Sequence, residues 1–240
     1  MAIDAFIEQI QASRLGKIDA PVLSQYEIPL VSVDIVIFTV VDRELKVLLI
    51  KRRNDPFKHS WAIPVGFIHI GENLEDAAKR RLYEETRVET RFLRQMQTFG
   101  TPGRDPRARV VTVAYYALVS GEKVKLMADS NAEDVQWFGV HHLPDLAFDH
   151  LDIIRFAQRR LQIELEDSNI AFQLLPEKFT LSRLQQVIEL ILNTPLDKRN
   201  FRKKIIASNL LEETGETAMD GFHRPAALYS FKEKSEYKHA

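Results

Sequence analysis

Residues 66–88 read GFIHIGENLEDAAKRRLYEETRV, and the spacing of small and charged residues in this stretch decides the fold. Five residues separate Gly66 from Glu72 and seven separate Glu72 from Arg80. The pattern then predicts one strong helix from Leu74 to Thr86, on which positions 81, 84 and 85 (i, i+3, i+4) share a face. Outward from this helix the chain turns β-rich. Val31 to Val41 and Leu45 to Lys51 are β-branched runs joined by Val41-Asp42-Arg43-Glu44, which predicts a buried hairpin. Asp34 is a polar residue where that hairpin should be core. Phe92 to Phe99, Val110 to Val119 and Val135 to Phe138 predict further strands, so the class is mixed α/β around a central sheet.

The 240 residues suffice for one large domain or two ordinary ones, and a 45% hydrophobic, 28% charged composition excludes a disordered or fibrous chain. With 33 Lys+Arg against 34 Asp+Glu the net charge is −1, so any attraction to nucleic acid must reside in a local patch. The absence of cysteine removes disulfides and thiolate metal sites. Met1 to Leu15 lacks a signal-peptide pattern and reads as a short helix ending near Gly16. The apolar runs Ile35–Val41 and Val47–Ile50 are far shorter than a bilayer span. A soluble, cytoplasmic protein is expected.

Beyond Val140 the spacing becomes helical. Asp149 to Leu165 reads as a helix with a break at Asp167-Ser168-Asn169. Thr180 is the expected N-cap of a helix with Leu181, Leu184, Val187, Ile188 and Ile191 on its apolar face. Asn193-Thr194-Pro195 should stop it and start another, with Thr194 as cap and Pro195 in the first turn. In that next helix Phe201 and Ile205 share a face that the basic residues largely avoid. Leu210-Leu211, a polar turn at Thr214-Gly215-Glu216 and alternating Ala226 to Phe231 predict a hairpin carrying His223-Arg224-Pro225. Helix, turn, basic helix and hairpin is the winged helix-turn-helix order. The expected division is an N-terminal helical segment (1–25), an α/β domain (26–150), a connecting helix (151–172) and a winged-helix domain (173–240).

The opening stretch resembles the Nudix box, Gx5Ex7REUxEExGU with U aliphatic. Gly66, Glu72, Arg80, Leu82, Glu84, Glu85 and Val88 match, whereas Arg81 and Arg87 do not. The resemblance implies a Nudix fold, in whose enzymes carboxylates of this helix hold divalent cations against a diphosphate and activate water. The position matching Arg81 is there a glutamate that binds metal or acts as general base. A guanidinium can do neither, so hydrolysis by that route should be lost or severely weakened. Glu72, Glu84 and Glu85 would then be vestigial, with no metal required and Mg²⁺ not expected. Equally open is that Glu84 and Glu85 are helix-surface acids paired with Arg80, Arg81 or Arg87. Arg87 replaces a glycine suited to a left-handed helix end.

Gly100-Thr101-Pro102-Gly103-Arg104-Asp105-Pro106-Arg107 resembles the loop of Nudix proteins that act on ADP-ribose. Arg104 and Arg107 are diphosphate candidates. Lys51, Arg52 and Arg53, followed by Trp61, Pro64 and Phe67, offer charge and an aromatic face, although Trp61 and Phe67 read equally well as core. The candidate effector-binding set is Arg52, Arg53, Phe67, Arg81, Glu85, Arg104 and Arg107. With Leu146-Ala147-Phe148-Asp149-His150, Phe179-Thr180-Leu181, Asp197-x-Arg199-Asn200-Phe201-Arg202-x-Lys204 and His223-Arg224-Pro225-Ala226-x-Leu228-Tyr229, the order resembles the NrtR family of Nudix-related regulators of NAD metabolism. That resemblance implies a homodimeric repressor of NAD-biosynthesis genes that binds a palindromic DNA operator and releases it on sensing ADP-ribose.

Pro195 to Ile206 carries a net charge of +4, the local patch that the overall balance required. Lys198, Arg199, Asn200, Arg202, Lys203 and Lys204, with His223 and Arg224 on the wing, are the candidate DNA contacts. Two rival readings stay open: an active ADP-ribose pyrophosphatase with an accessory C-terminal domain, and a winged helix used for protein contact.

Overall fold

The computed structural model describes residues 28–87, 92–120, 126, 132–167, 170–218 and 225–232. The expected helix at residues 1–16, and Val88, His223 and Arg224, lie outside these. Strands β1 (Leu30–Val41) and β2 (Glu44–Arg52) form the predicted hairpin. Asp42 and Arg43 both have positive φ, 54° and 59°, as a two-residue turn matched to strand twist requires. β3 (Trp61–Ala62) and β4 (Val65–Phe67) are short additions to β2 and β1 that the sequence pattern does not reveal. After helix α1 (Leu74–Thr86) come β5 (Leu93–Phe99), β6 (Val110–Leu118) and β7 (Ala132–Gly139). The path β3-β2-β1-β6-β5 is extended by β4 on β1 and β7 on β2, and β1 runs parallel to β6.

Because β1 is covered on both faces, it reads as an apolar run and not as an alternation. Val33, Ile35 and Ile37 pack with Ala77, Ala78 and Leu82 of α1. Val36, Phe38 and Val40 face the opposite core, with Ile153, Ile154, Ala157 and Leu161 of α2 (His150–Asp167). Asp34 shares that second parity.

A 3₁₀ turn (Ile170–Leu174) leads to α3 (Leu181–Leu192) and α4 (Lys198–Ala207), then to the hairpin β8 (Leu211–Ala218) and β9 (Ala226–Phe231). Thr180 caps α3 as expected, its hydroxyl accepting from the Arg183 N–H at 3.1 Å. The start of α4 differs from expectation: Asp197 is the cap, accepting from the Asn200 N–H at 2.8 Å, and Thr194-Pro195 lies in the connection. Glu189 holds that connection by accepting from the Leu196 N–H at 2.8 Å, so the chain cannot become helical until Asp197. Thr214-Gly215-Glu216 is likewise no turn but part of β8. Gly215, at φ 76°, sits where the register with β9 shifts, and the Thr214 hydroxyl bonds the Leu228 carbonyl.

Leu184, Val187 and Ile191 of α3 belong to the same buried cluster as Val36 and Phe38, so one continuous core runs from the sheet through α2 into the winged helix. Gln162 of α2 adds a polar tie, donating to the Ile191 carbonyl at 2.9 Å. No described helix is long and apolar enough to cross a membrane.

Candidate ligand site and nucleic-acid interface

α1 buries Ala77, Ala78, Arg81, Leu82 and Glu85 along one side. Arg81 donates to Glu84 at 2.8 Å and to Glu85 at 2.6 Å, while Arg80 forks onto both oxygens of Glu72 at 2.8 and 3.0 Å and approaches Glu84 at 3.4 Å. The Arg80 hydrogen bonds hold the Glu72 carboxyl well below the usual carboxylate range. Glu84 and Glu85 are thus paired with Arg80 and Arg81, as the alternative above had it, but Glu85 is fully buried and is no helix-surface acid. These residues do not fit a divalent cation: the guanidinium lies among the oxygens that would ligate it, at distances where a metal could not share them. Among the described residues no group of three or more His, Asp or Glu is arranged to hold a metal ion.

Gly66 is part of the same device. A Cβ on Gly66 would come 2.4 Å from Cγ of Arg81, so the bare backbone is what lets the arginine stem pass. Arg87 occupies the left-handed conformation at φ 53°, its N–H closing on the Tyr83 carbonyl at 2.8 Å. The cap geometry survives without the glycine.

Strand pairing brings a second group alongside. Val33 lies opposite Gly66, and Asp34 opposite Val65. Asp34 is fully buried and accepts from Arg104 at 2.9 Å; Arg104 also forks onto Asp149 at 2.7 and 2.8 Å. Arg104, read from the sequence as a diphosphate candidate, is sunk between two carboxylates, its side chain only 5% exposed. Burial pushes Asp34 up to about 6 despite the Arg104 charge. His150, also buried, accepts from the Ile63 N–H on Nδ1, and desolvation together with the charges of Arg104 and Arg52 pushes it down to about 3. It is neutral at physiological pH.

Phe148, in the left-handed region at φ 56°, stands beside this network. The guanidinium of Arg52 lies 4.8 Å from its ring centre and that of Arg107 5.7 Å, with Phe57 edge-on at 4.7 Å. Both cations thus stand over one ring, and burial, and after it the charge of Arg107, lowers the Arg52 pKa. Two guanidiniums around an aromatic ring suit a phosphorylated, base-bearing ligand. Arg107 is meanwhile paired with Asp105 at 2.6 Å. Of the other sequence candidates, Phe67 is half-buried, with its carbonyl accepting from Arg80. Arg53 turns away to the Ala132 carbonyl. Trp61 packs edge-on against Phe138. Sequence reasoning missed Phe57 and gave Phe148 and Asp149 no ligand role; the only signal was their place in the 146–150 run.

At the other end, α4 buries no residue fully. Phe201 and Ile205 are its half-buried contacts with the core, and Lys198, Arg199, Asn200, Arg202, Lys203 and Lys204 are all exposed. None of the five cations in this set forms an ion pair among the described residues.

Comparison with known proteins agrees with this two-part organisation. The NUDIX domain family matches residues 30–157, and the NrtR DNA-binding winged helix domain matches residues 171–231. The chain is 38% identical to the ADPR responsive transcriptional repressor NtrR of Acinetobacter baylyi over 87% of its length and 84% of that protein. It superposes on Shewanella oneidensis NrtR complexed with a 27mer DNA at a TM-score of 0.74 and 37% identity, covering 84% of this chain and 93% of that one. The NUDIX domain of the Shewanella protein complexed with ADP ribose matches at a TM-score of 0.53 and 37% identity, over 62% of this chain and 97% of that one. On the joint evidence of a Nudix sheet, a carboxylate helix closed by arginine and a basic winged helix sharing its core, this chain belongs to the NrtR family.

Proposed function

We propose that this protein is an ADP-ribose-responsive transcriptional repressor whose Nudix half senses its ligand without hydrolysing it. The observation that carries the reading is α4: five exposed cations, unpaired among the described residues, on a helix fixed from behind by Phe201 and Ile205. Such a face neutralises phosphates and enters a major groove. The sensor half is supported by Arg81, which holds Glu84 and Glu85 and supplies no proton acceptor. Arg52 and Arg107 about Phe148 are the proposed contacts for diphosphate and base; Arg104, held between Asp34 and Asp149, braces the site from behind. Arg53 bonds the Ala132 carbonyl, which leaves it a weaker candidate.

A single winged helix reads a short half-site, so the working unit is a homodimer on a palindromic operator. ADP-ribose favours a geometry in which the two recognition helices no longer match the half-site spacing. The coupling is reciprocal, so operator DNA weakens ADP-ribose binding by the same factor.

The test measures binding of the full chain to DNA from upstream of its own gene, at fixed salt, with and without ADP-ribose, while following ligand consumption. Release of DNA with the ligand intact is expected. Consumption of ligand without DNA binding would overturn the reading.

A further inference from the structure

Ile206, the second-last residue of α4, is 61% exposed. A lone exposed isoleucine elsewhere needs no explanation. Its position here is particular. At 3.6 residues per turn, Phe201 and Ile205 define the side of α4 that meets the core, and Arg199, Arg202, Lys203 and Ile206 share a second face turned away from it, with Arg202 at the edge nearer the core. Their spacing is i, i+3, i+4, i+7, the set by which a helix lying along a major groove reaches base edges. Three of the four are cations suited to phosphates or guanine. The fourth has no hydrogen-bonding group, and as a β-branched residue at a solvent position it is a poor choice for helix stability alone.

The major groove offers one apolar feature, the 5-methyl group of thymine, and an aliphatic side chain on the reading face is its natural complement. We propose that Ile206 is a specificity-determining residue that reads a thymine methyl in the operator, fixing an A·T pair toward the end of each half-site where Arg199, Arg202 and Lys203 supply affinity. The inference rests on the repressor reading above and deepens it. The occupant of this apolar position is duplex DNA, since the cations that surround it exclude an apolar protein surface and complement a polyanion.

The test is a binding cycle with two proteins and two probes. Wild type and Ile206→Ala are titrated, at one salt concentration, against the upstream duplex and against the same duplex with deoxyuridine replacing thymine, which removes only the methyl groups. Wild type should lose affinity on the deoxyuridine probe by more than Ile206→Ala does. The variant should bind the thymine probe about fourfold or more weakly, on the scale of one buried methyl contact per half-site. Ile206→Val should retain most of the discrimination. The salt dependence should be unchanged in all three proteins, because every phosphate contact is kept. Equal losses on deoxyuridine for wild type and Ile206→Ala, or an alanine variant that binds thymine DNA as wild type does, would overturn the assignment while leaving the repressor reading intact. Failure of wild type to bind the duplex at any salt would overturn both.

Discussion

Helices α1 and α4 each carry a cluster of basic side chains, and their surroundings give those charges opposite uses. On α1, Arg80 and Arg81 are locked onto Glu72, Glu84 and Glu85, with Arg81 and Glu85 buried. On α4, Asp197 is spent on the backbone cap and no carboxylate answers the five cations among the described residues. Charge satisfied within the molecule becomes part of the fold and is removed at the cost of stability. Charge left unanswered costs the fold little and is available to a partner. The difference lies in the carboxylates placed around the arginines, three, four and eight positions away, and not in the arginines themselves.

The largest expected effect tests the α1 side. Arg81→Ala leaves Glu85 buried without this guanidinium and should lower unfolding free energy by roughly 3–5 kcal/mol, measured by urea denaturation. Arg81→Glu should be destabilised in metal-free buffer and regain stability with Mg²⁺, since it restores the carboxylate set; an unchanged midpoint on adding Mg²⁺ would count against the account of Arg81. On the α4 side, joint replacement of Lys198, Arg199 and Arg202 by alanine should leave the unfolding midpoint near wild type. It should weaken operator binding by about a hundredfold and flatten the salt slope by roughly 0.9 for each phosphate no longer neutralised. A variant that bound DNA normally would favour the protein-contact role for this helix.

A third expectation concerns pH. His150 falls from 6.5 to about 3 on folding, so its contribution is present above pH 6.5 and is lost as pH falls toward 3. Asp34 rises from 3.8 to about 6, so its contribution is present below pH 3.8 and is lost as pH rises through 6. Between pH 4 and 6 the two oppose each other and wild-type stability should vary little from this pair. Asp34→Asn should expose the histidine alone, with stability that falls steadily as pH drops from 6.5. His150→Gln should show the reverse slope. The smallest effect is expected for Arg87→Gly, which relieves a left-handed non-glycine residue and should stabilise by up to about 1 kcal/mol in thermal unfolding.

Features determined by near neighbours in sequence are legible in the chain itself. The α1 limits, the Asp42-Arg43 turn and the Thr180 cap are set within four residues, and the structure has them where the spacing puts them. Where the deciding partner is distant, the chain alone misleads. Thr194-Pro195 looks like a helix start until Glu189 is seen to hold the Leu196 amide. Thr214-Gly215-Glu216 looks like a turn until its pairing with β9 turns it into an irregularity within a strand. Asp34 stands out as polar in a core, but its partner Arg104 is 70 residues away and Asp149 a further 45. The candidate ligand group is legible as arginines and a loop; that Phe148 stands among them follows from tertiary packing.

α2 begins at His150, beside the buried Asp34 and Arg104, and twelve residues later Gln162 grips the end of α3 just before the turn into α4. At 1.5 Å per residue that span is a rigid arm of about 18 Å. Pivoted at its root by about 5°, it carries its grip sideways by roughly 1.5 Å. In the proposed homodimer, two such arms swinging in opposite senses about the two-fold axis would double the change in separation between recognition helices. Leverage of this kind needs no melting and no hinge, only a ligand able to shift the one place where Asp149 meets Arg104.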